Sequence, residues 1–131
     1  MSAEIGYAIE RFERAVERLR EGVDRAREQL ERDGTIQRFE FSVELLWKTL
    51  RRFLLARGIN VSTPRESLEE AFRIGWLDEE SVFLDMLTDR NRTSHLYSDK
   101  VADEIFARIR SDYIGALEKI LERLRSVAGG A

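Results

Sequence analysis

The sequence predicts an all-α protein, an up-and-down antiparallel bundle of three long and two short helices. Apolar residues return at intervals of three and four along most of the chain, which is the spacing of a helix face, and no stretch alternates like a strand. With one proline in 131 residues and few glycines, little interrupts those faces. An apolar fraction of 43% is enough to close a core, and the length fits a single domain over 1–131.

The first long helix follows Ile5, Ile9, Phe12, Val16, Leu19, Val23, Ala26 and Leu30, a continuous seam that Gly34 is expected to end. Gly22 within it carries only a mild local cost. A second helix is expected from Ile36 to Arg57, with Phe39, Val43, Leu46, Leu50 and Phe53 on one face and Phe41, Leu45 and Trp47 near another. That is more apolar surface than one seam needs. It suits a central helix touching several neighbours, part of whose surface also serves a dimer interface. Gly58 closes this helix, and Thr63-Pro64-Arg65-Glu66 reads as a capping box with proline at the first helical position. The short helix that follows runs to about Ile74 and ends at Gly75. Asp78 can cap the next short helix, whose apolar face is Val82, Phe83, Met86 and Leu87. The polar stretch from Asp89 to Lys100 breaks the periodicity. Ser98 or Asp99 then caps the last long helix, which carries Val101, Ile105, Ile109, Tyr113, Leu117, Leu121 and Leu124 and leads to Gly129-Gly130.

Composition removes several function classes. Without cysteine there is no disulfide framework or thiol chemistry, and a lone histidine cannot build a zinc site from one chain, so metal would have to come from carboxylates or not at all; with no metal ligands evident, no metal or cofactor is expected. No apolar run approaches the ~18 residues of a membrane helix, and the charged opening is unlike a signal sequence, so a cytoplasmic protein is expected. A net charge of −3 argues against a polyanion binder held by bulk charge. All basic residues but Lys48, Lys100 and Lys119 are arginine; surface ion pairs explain that bias most simply. There is no Gly-x-x-x-x-Gly-Lys loop, dinucleotide fingerprint or Asp-x-Asp pair, so the chain is not itself a nucleotidyltransferase. A di-iron bundle needs Glu-x-x-His, and the residue three before His95 is Arg92.

One polar constellation remains: Arg90 and His95, five residues apart, with Asn91 beside the arginine and Tyr97 two beyond the histidine. Histidine can take a proton from one oxygen and return it to another near neutrality. Arginine can hold a phosphate and offset charge that builds in a transition state. Together they form half of a metal-free phosphodiester cleavage site. One histidine does not readily act as both base and acid, but a twofold dimer bringing two copies of His95 to one cleft supplies the pair. The plain alternative is that Arg90 answers a helix dipole, His95 is a satisfied turn residue and Tyr97 is a hydrophobic staple.

Three separated blocks carry a resemblance over nearly the whole chain. They are Gln37-Arg38-Phe39-Glu40-Phe41 through Glu44-Leu45-Leu46-Trp47-Lys48-Thr49-Leu50, then Thr63-Pro64-Arg65-Glu66 with Ala71-Phe72, and last Met86 through Tyr97. In that order they resemble the nucleotidyltransferase substrate-binding proteins of the HEPN superfamily. The resemblance implies a helical bundle that forms a homodimer and works with a separate minimal nucleotidyltransferase, with RNA or a nucleotide in the cleft between subunits. In the toxin branch of that superfamily, members are metal-independent endoribonucleases with an Arg-x4-His-x-Tyr motif, restrained by the partner as antitoxin. Carried onto this sequence, Arg90 and His95 would be catalytic, Asn91 would support them, and Tyr97 would be the acceptor of AMP from the partner. A bulky anionic nucleotide there would block RNA and repel its phosphates. Arg92 departs from many relatives, which carry an uncharged residue, and is a candidate phosphate contact. The alternative function is a non-catalytic subunit presenting a substrate or nucleotide to the transferase.

Overall fold

The computed structural model describes residues 3–93 and 98–130, and the secondary structure among them is helical throughout, with no strand. α1 spans Ala3–Arg25 and α2 spans Gln29–Ala56. The short helices α3 and α4 span Pro64–Arg73 and Glu80–Thr93. α5, Asp99–Arg108, passes through a π turn at Ile109–Tyr113 into α6, Ile114–Ala128, so these make up the third long helix.

The first boundary differs from the expectation. α1 stops at Arg25, and Gly34 lies inside α2. The apolar spacing runs on across the break, but Leu30 belongs to the second helix and is 82% exposed. The stop comes from Glu31, whose carboxylate accepts the backbone N–H groups of Arg27 and Glu28, both at 2.8 Å. Those donors are orphans at the start of α2, and satisfying them begins the helix seven residues before Ile36. Gly22 also has a use that local propensity does not reveal. A Cβ there would lie 2.7 Å from Oγ1 of the buried Thr35, so α1 and α2 approach closely at this point.

The remaining punctuation, Asp78 apart, matches the chemistry of the sequence. Gly58 and Gly75 take φ of +79° and +90° and end α2 and α3. Thr63 Oγ1 accepts the Glu66 N–H at 3.1 Å, with Pro64 at the first helical position. Ser98 caps α5 through the Lys100 N–H. Asp78 does not cap α4, which starts at Glu80; it lies one residue too early and pairs instead with Lys119 and Arg123 of α6.

α2 is the central element and packs against α1, α3, α4 and α5, while α6 closes on α1. Phe12, Leu19, Phe39, Leu46, Leu50, Leu54, Ile105, Ile109, Leu117 and Leu124 form the most deeply buried layer. The π turn explains how the last helix keeps its face inward. Steps of four from Val101 to Leu121 overshoot a 3.6-residue turn by about 40° each, so the face would wind out of the core. One wider turn takes in an extra residue and returns the face to the core, leaving Ile105, Ile109, Tyr113 and Leu117 essentially inaccessible.

Candidate functional site

The polar stretch identified in the sequence begins as helix. α4 continues through Asp89, Arg90, Asn91 and Arg92 to Thr93, so these residues stand on its last turns. Successive helical residues point about 100° apart, and the four side chains accordingly take different directions.

Asp89 faces inward and is 3% exposed. Its carboxylate accepts a two-pronged contact from Arg108, Nε at 2.7 Å and Nη2 at 2.9 Å, and the Tyr113 hydroxyl at 2.5 Å. Arg92 adds a longer contact at 3.4 Å. Arg108 ends α5 and Tyr113 ends the π turn, so the wider turn that keeps the apolar face buried also brings these donors to α4. Phe39 stacks on the Tyr113 ring with centroids 5.4 Å apart. Burial pushes the Asp89 carboxyl up, but hydrogen bonds from Arg108 and Tyr113 and the charges of Arg108 and Arg92 outweigh it and hold it below its ordinary range. Burial and the same carboxylate push the Tyr113 hydroxyl well up.

Arg90 turns to the other side. Its Nη2 donates to Glu44 Oε2 at 2.6 Å, tying the end of α4 to the middle of α2. Nη1 makes a marginal contact with Asn91 Oδ1 at 3.5 Å. Glu44 also accepts Trp47 Nε1 at 3.1 Å, and its other oxygen lies 3.1 Å from Lys48 Nζ. Burial pushes the Glu44 carboxyl up, yet the Trp47 and Lys48 hydrogen bonds and the Arg90 charge prevail and keep it below its usual value. The Arg90 and Glu44 side chains are 32% and 29% exposed, so the pair is reachable from solvent.

Of the residues singled out from sequence, Arg90, Asn91 and Arg92 thus sit together on one helix end, while His95 and Tyr97 lie outside the described residues. Arg92 faces Asp89 with part of its charge answered and the rest in solvent. Sequence reasoning gave no individual role to Glu44, Asp89, Arg108 or Tyr113. Two signals were present: Tyr113 is the one hydroxyl-bearing residue in an otherwise apolar face, and a buried phenol needs a partner. Glu44, Trp47 and Lys48 are spaced to meet on one helix surface.

Comparison with known proteins agrees with this architecture. Residues 7–126 match the family described as nucleotidyltransferase substrate binding protein like. A Haemophilus influenzae protein called probable ribonuclease HepT is 34% identical over 97 residues, which cover 70% of this chain and 66%, just under two thirds, of that protein. A crystal structure of a Thermus thermophilus protein superposes with a TM-score of 0.81 at 35% identity, covering 87% of this chain and 98% of the other. A Haemophilus influenzae structure, described as revealing the fold of a substrate binding domain of a nucleotidyltransferase, gives a TM-score of 0.68 at 29% identity, with 92% and 96% covered. Among the described residues no helix is long and apolar enough to cross a membrane. With the family pattern matched over nearly the whole chain and the helical fold shared with these solved relatives, the chain belongs to the nucleotidyltransferase substrate binding protein like family.

Proposed function

We propose that this chain is a HEPN-type, metal-independent endoribonuclease that pairs with a separate minimal nucleotidyltransferase as its antitoxin. The observation that carries the reading is the Arg90 guanidinium at the end of α4, solvent-reachable and fixed by one carboxylate, in a chain similar to a protein called a probable ribonuclease. Arg90 holds the scissile phosphate, and His95 transfers a proton, with Asn91 orienting the arginine and Arg92 available to a neighbouring phosphate. Two copies form the RNA cleft. The exposed Phe41 and Tyr7, which line one shallow surface groove, support such a pairing, since large apolar side chains bared near one another favour a partner surface. Tyr97 accepts AMP from the partner, which silences the nuclease.

The test is cleavage of total RNA by the purified chain in the presence of chelator, with His95→Ala beside it. The wild-type protein is expected to cut and the variant to lose activity while keeping its fold. Equal cleavage by both would remove His95 from the mechanism. A second reading draws on the solved relative described as a substrate binding domain of a nucleotidyltransferase. Under it, neither protein cuts RNA, the partner transfers nucleotide onto a third molecule, and mass spectrometry finds Tyr97 unmodified.

A further inference from the structure

A phosphate bound near a helix C-terminus faces the negative end of the helix dipole, so it needs cations to hold it. The end of α4 supplies more than Arg90. Resting on the nuclease reading above, we infer that Arg92 and Arg108 together form a second phosphate subsite, which holds the RNA strand beside the phosphate engaged by Arg90.

Two guanidinia share one carboxylate here. Asp89 Oδ1 accepts Arg108 Nη2 at 2.9 Å and Arg92 Nη1 at 3.4 Å, so the two cations stand side by side, although one comes from α5 and the other from α4. Arg108 reaches Asp89 through Nε and Nη2, which is one edge of its planar fork; the other edge, Nη1 with Nη2, is turned from that carboxylate. Asp89 is buried, whereas the Arg92 and Arg108 side chains are 45% and 36% exposed, so the anion lies beneath and both cations meet solvent.

Charge points the same way. Among the described residues Asp89 is the one carboxylate within ion-pair distance of either arginine, and the sequence at 94–97 contains no carboxylate. The Tyr113 hydroxyl, which burial and Asp89 hold well above its ordinary pKa, stays neutral. Two cations on one anion leave a single positive charge, which a phosphodiester balances. Its two unesterified oxygens can bridge the neighbouring guanidinia, a contact that suits arginine. Arg90 and Arg92 are two residues apart on a helix, so their side chains leave α4 about 160° from each other. A strand crossing the end of α4 therefore meets Arg90 on one side and the arginine pair on the other, at two different phosphates.

The experiment measures binding of a single-stranded 2′-O-methyl RNA oligonucleotide, which cannot be cleaved, to the full-length wild-type protein and Arg92→Gln over a range of KCl concentrations. Circular dichroism reports on folding, and a cleavable version of the strand in chelator reports on the nuclease. Loss of one charge-assisted contact should weaken binding about tenfold and lower the salt slope by about 0.7, the value for one phosphate on a single strand. A series of strands then carries an uncharged methylphosphonate at one position at a time. In the wild type two positions should matter, the cleaved phosphate and one nearby, and in Arg92→Gln the second should lose its effect. Arg108 is tested without a variant, since it also holds Asp89: bound strand should shield it from phenylglyoxal, read by mass spectrometry, and a methylphosphonate at the second position should remove that shielding. Two outcomes overturn the subsite while sparing the nuclease: a strand that is cut although the methylphosphonate profiles of wild type and Arg92→Gln coincide, or Arg108 labelling that bound strand does not change. A wild type that never cuts overturns the nuclease reading and the inference with it.

Discussion

At the residue scale the strongest constraint is Asp89, a buried carboxylate that meets Arg108, Tyr113 and Arg92 and so fixes the helix turn from which Arg90 projects. Removing one partner of a buried ion pair leaves the other uncompensated, so Asp89→Asn should cost about 3–5 kcal/mol at pH 7. The cost should depend on pH in a definite direction. The folded carboxyl titrates below its ordinary value of 3.8, so its stabilisation is complete above that value and is lost as pH falls through the folded pKa. Urea unfolding of the wild type and Asp89→Asn should therefore converge in acid; a gap that stays constant from pH 7 downward would exclude an ionic role. Arg90 was legible as a candidate because an arginine five residues before the one histidine of the chain is an unusual pairing in chemical terms. Asp89 was not, because an aspartate before an arginine looks solvated until the fold brings a guanidinium from nineteen residues away.

At the scale of elements, what was readable is what local chemistry decides. Thr63 with Pro64, Gly58, Gly75 and Ser98 mark helix ends through their own backbone and side-chain preferences, and each does so in the structure. The α1 boundary was not readable, because the apolar spacing continues across it and the stop depends on Glu31 capturing two N–H groups. The π turn was hidden for a related reason: repeated steps of four look like one helix face, although a regular helix cannot keep them all inward. Gly22 gives an element-scale prediction. In an exposed helix, alanine would gain about 1 kcal/mol over glycine. Here its Cβ would press on Thr35, and overpacking of this kind costs about 1–3 kcal/mol, so Gly22→Ala should be neutral to destabilising rather than stabilising. Adding Thr35→Ala should recover the helix gain in a double-mutant cycle; additive effects in thermal unfolding would mean that the two helices do not meet at this point.

At the scale of the molecule, the question is whether the proposed phosphate-holding arginine and proton-transferring histidine of one site belong to one chain or span two. Arg20 with Glu118 and Glu13 with Arg125 join α1 to α6, which complements the apolar closure of the bundle without fixing the oligomer, since exposed pairs of this kind contribute little. Glu44 contacts Arg90 of its own chain, and His95 follows that arginine by five residues. A shared cleft could therefore draw the proposed Arg90 and His95 of one site from one chain or from both. Mixed dimers separate the arrangements. Arg90→Ala and His95→Ala subunits, unfolded together and refolded in equal amounts, should stay inactive when both groups act from one chain, because each subunit of the mixed dimer lacks one of them. If Arg90 acts with the partner's His95, half of the dimers are mixed and each restores one of two sites, giving about a quarter of wild-type cleavage. The spacing of five residues between Arg90 and His95 favours the inactive mixture, and recovery of cleavage in the refolded sample would set the two groups of a site across the dimer axis.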